Sequence, residues 1–327
     1  VAGRDGRAEP PDAPYLGRLN EVEFRPVFIM GSARSGTTIL YRLLTMTGRF
    51  NYVSAYHLLK YDELLANHDR GTTEAAKEDL RQLFRRLEIG GARFDGVEVH
   101  PDFPEEYGFA LSEGSRLQLS ARTLPRFLEL CRKVQAVADR DRPLLLKNPW
   151  DSRSFLFIKE ALPGSRFIFI HRNPADVVRS LLEGMRSLLR ARNPYHALLA
   201  RFYDRLMDSP WRVRMTRLLF TERFGLGTKV VAWQVARTAR YFLDNVRRLP
   251  EGDHLSVRYE DLCRDPAAVV NRVLRFLGEP ENHDVPYREF IRERARPRAG
   301  TADGDPGRVL RRLQMGPYLA YCGYDAE

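Results

Sequence analysis

The chain has few cysteines. Cys131, Cys263 and Cys322 are odd in number, far apart and in no CxxC pair, which argues against a disulfide framework and a zinc site. The 7 histidines fall in no HExxH or related spacing, so no structural metal is expected. No apolar run reaches the roughly 20 residues that a membrane-spanning helix requires. The opening VAGRDGRAEPPDAP has no apolar h-region, so residues 1–20 read as a mobile polar arm and a cytoplasmic location is the default. There is no internal repeat and no low-complexity tract. No basic stripe is interleaved with aromatics, so the net charge of +10 does not point to nucleic acid; a cleft for another anion accounts for it as well.

What is present is an ordinary globular composition, 43% hydrophobic and 29% charged, in 327 residues, enough to bury a large core. Residues 21–327 read as one domain. Continuous apolar runs mark buried parallel strands at Pro26 to Gly31, Asn51 to Ala55, Pro143 to Asn148, Arg166 to Arg172 and His254 to Tyr259. Helical periodicity marks Ser35 to Thr47, Thr73 to Leu87, Leu124 to Ala138, Ser152 to Ala161, Pro174 to Leu189 and Val230 to Arg248. The alternation predicts a P-loop-like α/β fold of three layers, a central parallel sheet of about five strands with helices on both faces. Ligands of such sheets lie beyond the carboxyl ends of the strands.

Two segments sit at such ends. GSARSGTTIL, from Gly31 to Leu40, runs from a strand through a glycine turn into a helix, where backbone N–H groups converge on an anion. Ser35, Thr37 and Thr38 add hydroxyl donors, Gly36 allows close approach, and Arg34 adds a fixed charge. A nucleotide-hydrolysing loop carries a lysine after its second glycine, but here that residue is Thr37, so triphosphate hydrolysis is disfavoured. In FIFIHRNPADVVRS, a buried strand ends at Arg172, Asn173 can cap the next helix, and Pro174 suits its first turn. Ser180 lies about two turns along the helix, within reach of an anion held by Arg172.

Together the RSGTT loop and the RNP turn with its Arg-to-Ser spacing resemble the sulfotransferases that use 3'-phosphoadenosine 5'-phosphosulfate (PAPS), and the RSGTT form resembles their bacterial and carbohydrate-type branches. LLLKNPW (Leu144 to Trp150), Trp233 and VRYEDLCRDP (Val257 to Pro266) extend the resemblance. It implies that Arg34, Ser35, Gly36, Thr37 and Thr38 hold the 5'-phosphosulfate and that Arg172 and Ser180 hold the 3'-phosphate. The product would be adenosine 3',5'-bisphosphate (PAP), and no metal would be required. Lys147 matches a lysine that the family keeps near the leaving-group oxygen. A histidine two residues after that lysine serves as base in the cytosolic branch, but Pro149 stands there. The heparan-type branch uses a glutamate after the second strand, and that position is Ala55, followed by His57. His57 is therefore the expected base, with Asp62 and Glu63 in reserve. DPGR, Asp305 to Arg308, resembles the loop that closes on the 3'-phosphate, and the segment 293–308 reads as a mobile loop, either a solvated connection or a flap over an anionic ligand.

By the same resemblance, insertions at 58–141 and 181–227 build the acceptor pocket, for a hydroxyl, less readily an amine, of a small molecule, lipid or sugar. The helical 186–220 stretch mixes leucines with arginines, as in a packed helix pair, a lid, or a face for peripheral membrane contact. An atypical P-loop nucleotide kinase and a non-catalytic nucleotide-binding module stand as alternatives. Acceptor identity and oligomeric state are not legible.

Overall fold

The structure, a computed structural model, describes residues 9–89, 99–111, 117–220, 226–291 and 306–324. Five strands form one sheet: β1 (Pro26–Met30), β2 (Asn51–Tyr52), β3 (Leu144–Lys147), β4 (Arg166–His171) and β5 (His254–Arg258). Their order is β2-β3-β1-β4-β5 and every pairing is parallel, as the strand–helix alternation predicts. The helices of the first half are α1 (Thr37–Met46), α2 (Ala55–Leu59), α3 (Leu64–Asp69), α4 (Thr73–Arg86), α5 (Leu124–Ala136) and α6 (Phe155–Ala161). A helical stretch follows, comprising α7 (Pro174–Arg190), α8 (Pro194–Leu199), α9 (Arg201–Met207), α10 (Pro210–Leu219) and α11 (Leu226–Asn245). Then come α12 (Tyr259–Arg264), α13 (Pro266–Leu277), α14 (Pro306–Arg312) and α15 (Gly316–Cys322).

The two-residue period of the strands sorts their side chains into two cores. Phe28, Met30, Leu144, Leu146, Phe167 and Phe169 face one side with Phe127 of α5, Phe155 of α6 and Phe242 of α11. Val27, Ile29, Leu145, Ile168 and Ile170 face the other with Leu40 and Leu44 of α1 and Leu262 and Val270 of α12 and α13. Burial on both faces explains why these strands read as unbroken apolar runs. With β1 in the middle of the order, the turns after β1, β3 and β4 emerge side by side. That places three chemistry-bearing segments at one edge.

Two differences from the sequence expectation have local causes. β2 stops at Tyr52, because Ser54 turns to cap α2 and pairs through an isolated bridge with Pro104. Of the arm expected over residues 1–20, the part from Asp12 onward is anchored: Ala13–Glu21 form a 3-10 helix, and Asp12 is buried. Asp12 Oδ2 lies 2.9 Å from Lys133 Nζ, each side chain 1% exposed, and Asp12 Oδ1 accepts from the Ala66 amide at 3.0 Å. Asp12→Ala would leave the buried Lys133 ammonium with less compensation. We expect it to cost about 3–5 kcal/mol of unfolding free energy in denaturant titration, and a cost below about 1 kcal/mol would contradict this anchoring role.

Candidate active site

The turn after β1 is built for an anion. Arg34 adopts φ 70 and Gly36 φ 102, so the chain passes through left-handed geometry before α1 begins at Thr37. Such a conformation strains Arg34 and favours glycine at 36. A Cβ on Gly36 would also meet the Tyr259 ring at 2.4 Å, and one on Gly31 would meet Ser35 Oγ at 2.6 Å. The Ser35 hydroxyl is buried and has no hydrogen-bond partner among the described residues, and Ser35 lines a cleft with Gly31, Ser32, His171 and Arg172. An orphaned buried donor beside a helix N-terminus fits a phosphate oxygen.

The second turn meets the first directly. Arg34 Nε donates to Ser180 Oγ at 3.0 Å, and Arg172 Nη1 donates to the Arg34 carbonyl at 3.0 Å. Asn173 caps α7 by accepting from the Ala175 amide at 2.9 Å, which sets the helix so that Ser180 points back to the loop. The YEDL segment underlies both turns. Tyr259 packs on Gly36 and carries the Arg172 guanidinium 4.5 Å from its ring centroid. Glu260 accepts the Asn173 amide at 3.1 Å and the Tyr324 hydroxyl at 2.6 Å.

Lys147, at the end of β3, is 1% exposed. Its Nζ donates to Thr38 Oγ1 at 2.9 Å and pairs with Glu106 Oε1 at 2.8 Å. Thr38 is the hydroxyl that would face magnesium in a lysine-bearing nucleotide loop. Here an ammonium from the neighbouring strand stands against it. Glu106, 13% exposed, was not singled out in the sequence. It lies in an irregular stretch pinned to the turn that follows β2, since the Glu105 amide donates to the Val53 carbonyl at 2.8 Å. Beyond it, Tyr107 Oη donates to the buried Asp151 at 2.8 Å, and Asp151 also accepts from Asn148 Nδ2 at 2.7 Å and the Leu119 amide at 2.8 Å. Burial raises the Asp151 pKa against these donors. This network ties the turn that carries Lys147 to the stretch that carries Glu106.

His57 is placed differently from the expectation. It occupies the third position of α2, and its Nδ1 accepts from the Ser54 amide at 3.1 Å, closing a capping box. In the neutral ring the proton then sits on Nε2, and the Nδ1 lone pair is taken up by the helix cap. The ring lines a separate cavity of about 460 Å³ beside the edge strand, with Tyr52, His68, Lys77 and Asp102. Asp62 and Glu63 form a 3-10 turn, and Glu63 pairs with Lys60 at 2.9 Å. Arg308 lies in α14, which packs on α7 and α11, whereas Asp305 and residues 293–304 of the expected flap lie outside the described residues.

Burial pushes His57 down to about 4, and His171, held between Tyr318 at 2.8 Å and Ser256 at 3.1 Å, also to about 4. Unfolded histidine titrates near about 6.5. Between these values the unfolded chain binds protons that the folded chain refuses, so the stability contribution is complete above pH about 6.5 and is lost as pH falls toward about 4. We expect the melting temperature to decline from pH about 6.5 to about 5, above most carboxylate titration, and the decline to shrink in His171→Asn. A flat profile over that interval would contradict the buried neutral rings.

The profile described as "Sulfotransferase family" matches residues 26–284. The omega-hydroxy-beta-dihydromenaquinone-9 sulfotransferase Stf3 of Mycobacterium bovis and that of Mycobacterium tuberculosis are each 25% identical over 279 residues, covering 77% of this chain. The chain spans 62% of the length of those relatives. Among solved structures, sulfotransferase STF9 from Mycobacterium avium aligns with a TM-score of 0.61 at 17% identity, over 97% of this chain and 81% of its own. Sulfotransferase STF1 from M. tuberculosis aligns with a TM-score of 0.53 at 15% identity, over 94% and 80%. These two structural likenesses show the shared fold.

Proposed function

The chain belongs to the sulfotransferase family, and from that premise we propose that it moves the sulfonate of PAPS to a hydroxyl of an apolar small molecule or lipid. The observation that carries this reading is the position of Lys147 Nζ, between the loop hydroxyl of Thr38 and the Glu106 carboxylate. It brings together a cation for a leaving phosphate, a loop for a 5'-phosphate and a base for an attacking hydroxyl.

PAPS, when bound, supplies the sulfonate that passes to the acceptor oxygen as the sulfur–oxygen bond to its phosphate breaks. The protein's part is to position and to balance charge. In this reading the loop amides, the Ser35 and Thr38 hydroxyls and the dipole of α1 hold the 5' end. Arg172 and Ser180, joined through Arg34, form the cradle for the 3'-phosphate, and Arg308 of α14 is assigned to the same phosphate. Lys147 offsets the charge that develops on the departing oxygen. Glu106 replaces His57 as the base and takes the acceptor's proton. The quinone named for the M. bovis relative supports an apolar acceptor.

The kinase alternative loses support at Thr38, where the Lys147 ammonium takes the direction a magnesium ion would need. The reading is tested by incubating the protein with PAPS and a panel of apolar alcohols, quinols and lipid extracts, and following PAP release together with the acceptor's gain of one sulfonate in mass. Acceptor-dependent PAP release that disappears in Arg172→Ala supports it. Phosphate transfer from ATP to the same panel would overturn it.

A further inference from the structure

Among the described residues, 9 of the 13 large hydrophobic side chains that stand exposed fall between Leu198 and Trp233. On α10, Trp211, Met215 and Leu219 recur at spacings of four and are 70%, 48% and 38% exposed. On α11, Leu226, Val230 and Trp233 recur at four and three and are 48%, 41% and 50% exposed. Each set is one face of its helix. The helices abut where α10 ends, since a Cβ on Gly227 would lie 2.9 Å from the Leu219 carbonyl oxygen and 3.0 Å from the Phe220 ring. Large apolar faces left open on two adjoining helices are not an ordinary solvated surface.

The charges between these side chains have one sign. Arg212, Arg214 and Arg217 lie on α10, which has no carboxylate; Lys229, Arg237 and Arg240 lie on α11, whose sole carboxylate is Asp244 near its far end. The Arg237 guanidinium sits 5.0 Å from the Trp233 ring centroid, an aromatic body with a cationic rim. Two copies of this face laid together would oppose arginine to arginine, so self-pairing is disfavoured. Among the described residues no helix is long and apolar enough to cross a bilayer. Tryptophan, methionine and leucine set among arginines without carboxylates suit the interface of a bilayer that carries anionic lipid.

We propose that the outer faces of α10 and α11 dock the protein on an anionic membrane surface. The inner face of α11 supplies Val235, Thr238, Ala239 and Phe242 to the cleft, so one helix separates the bilayer from the candidate active site. A hydroxylated lipid would then be drawn from the membrane beside the cleft. That consequence rests on the sulfotransferase reading, whereas the docking itself does not.

Co-sedimentation with vesicles tests it, using phosphatidylcholine alone and phosphatidylcholine with about one-third phosphatidylglycerol. The protein should partition onto the anionic vesicles and far less onto the neutral ones. The pairs Trp211→Ser with Met215→Ser, and Arg212→Glu with Arg214→Glu, should each weaken partitioning about tenfold or more, the first by removing apolar contact and the second by reversing charge. Because these side chains are exposed, melting temperatures and PAP affinity should match those of the parent protein. Absence of binding to anionic vesicles, or binding that both pairs leave unchanged, overturns the proposal. So does self-association in light scattering without vesicles that the Trp211/Met215 pair abolishes, which would assign the face to a second copy. If vesicle binding behaves as expected and PAP does not bind, the docking stands and the assignment of the cofactor fails.

Discussion

Lys147→Met is expected to lower turnover with PAPS by about 10²–10³-fold while PAP binding stays within a few-fold of the parent protein. Methionine keeps the length of the side chain and removes its charge. Lys147 reaches Thr38 Oγ1 at 2.9 Å, so the ammonium sits where charge would appear on a departing phosphate oxygen. An interaction that strengthens only in the transition state lowers kcat and leaves ground-state affinity nearly intact. The loop amides, Arg172 and Ser180 remain to hold the bisphosphate. The check is kcat for transfer together with a calorimetric titration of PAP. Unchanged kcat, or loss of PAP binding in parallel with kcat, would give Lys147 a different role.

Glu106→Gln is expected to lower kcat by about 10²–10⁴-fold, the range that a positioned base supplies. Glutamine preserves size and a hydrogen bond to Lys147, so PAP should bind as before. The loss should fall on kcat with the KM for PAPS unchanged, a split that a merely structural role would not produce. His57→Asn is the paired control. It should leave kcat within about threefold, because the ring faces its own helix cap, and should lower stability by about 1 kcal/mol through loss of that cap. The reverse pattern, with kcat lost in His57→Asn and kept in Glu106→Gln, would restore the histidine as base.

Parts of the site that depend on a short stretch of chain were legible. A strand, a glycine turn and a hydroxyl-rich helix start lie within fifteen residues from Pro26 to Leu40, and backbone geometry alone directs the turn's amides to one point. The relation of Arg172 to Ser180 follows from helical pitch, and Asn173 and Pro174 announce the helix that provides it. Their meeting with Arg34, 146 residues from Ser180 in sequence, depends on β4 pairing beside β1, which periodicity does not specify. Glu106 was hidden for a similar reason. Its stretch has no helical or strand period, and the tie that positions it, Tyr107 to Asp151, spans 44 residues. The paired glutamates in PEEYG were the visible signal, and nothing local distinguished them from a solvated turn. His57 sits at a strand's ligand end in sequence, and the serine three residues earlier marks it as part of a cap.

Adenosine 3',5'-bisphosphate tests the central claim most directly, compared with ATP and magnesium in thermal unfolding. A ligand that binds only the folded state at about 100 times its Kd adds about 2.7 kcal/mol, roughly 4 °C for a chain of this size. The account predicts such a rise with the bisphosphate, little change with ATP and magnesium, and loss of the rise in Arg172→Ala. Stabilisation by ATP and magnesium alone would contradict it.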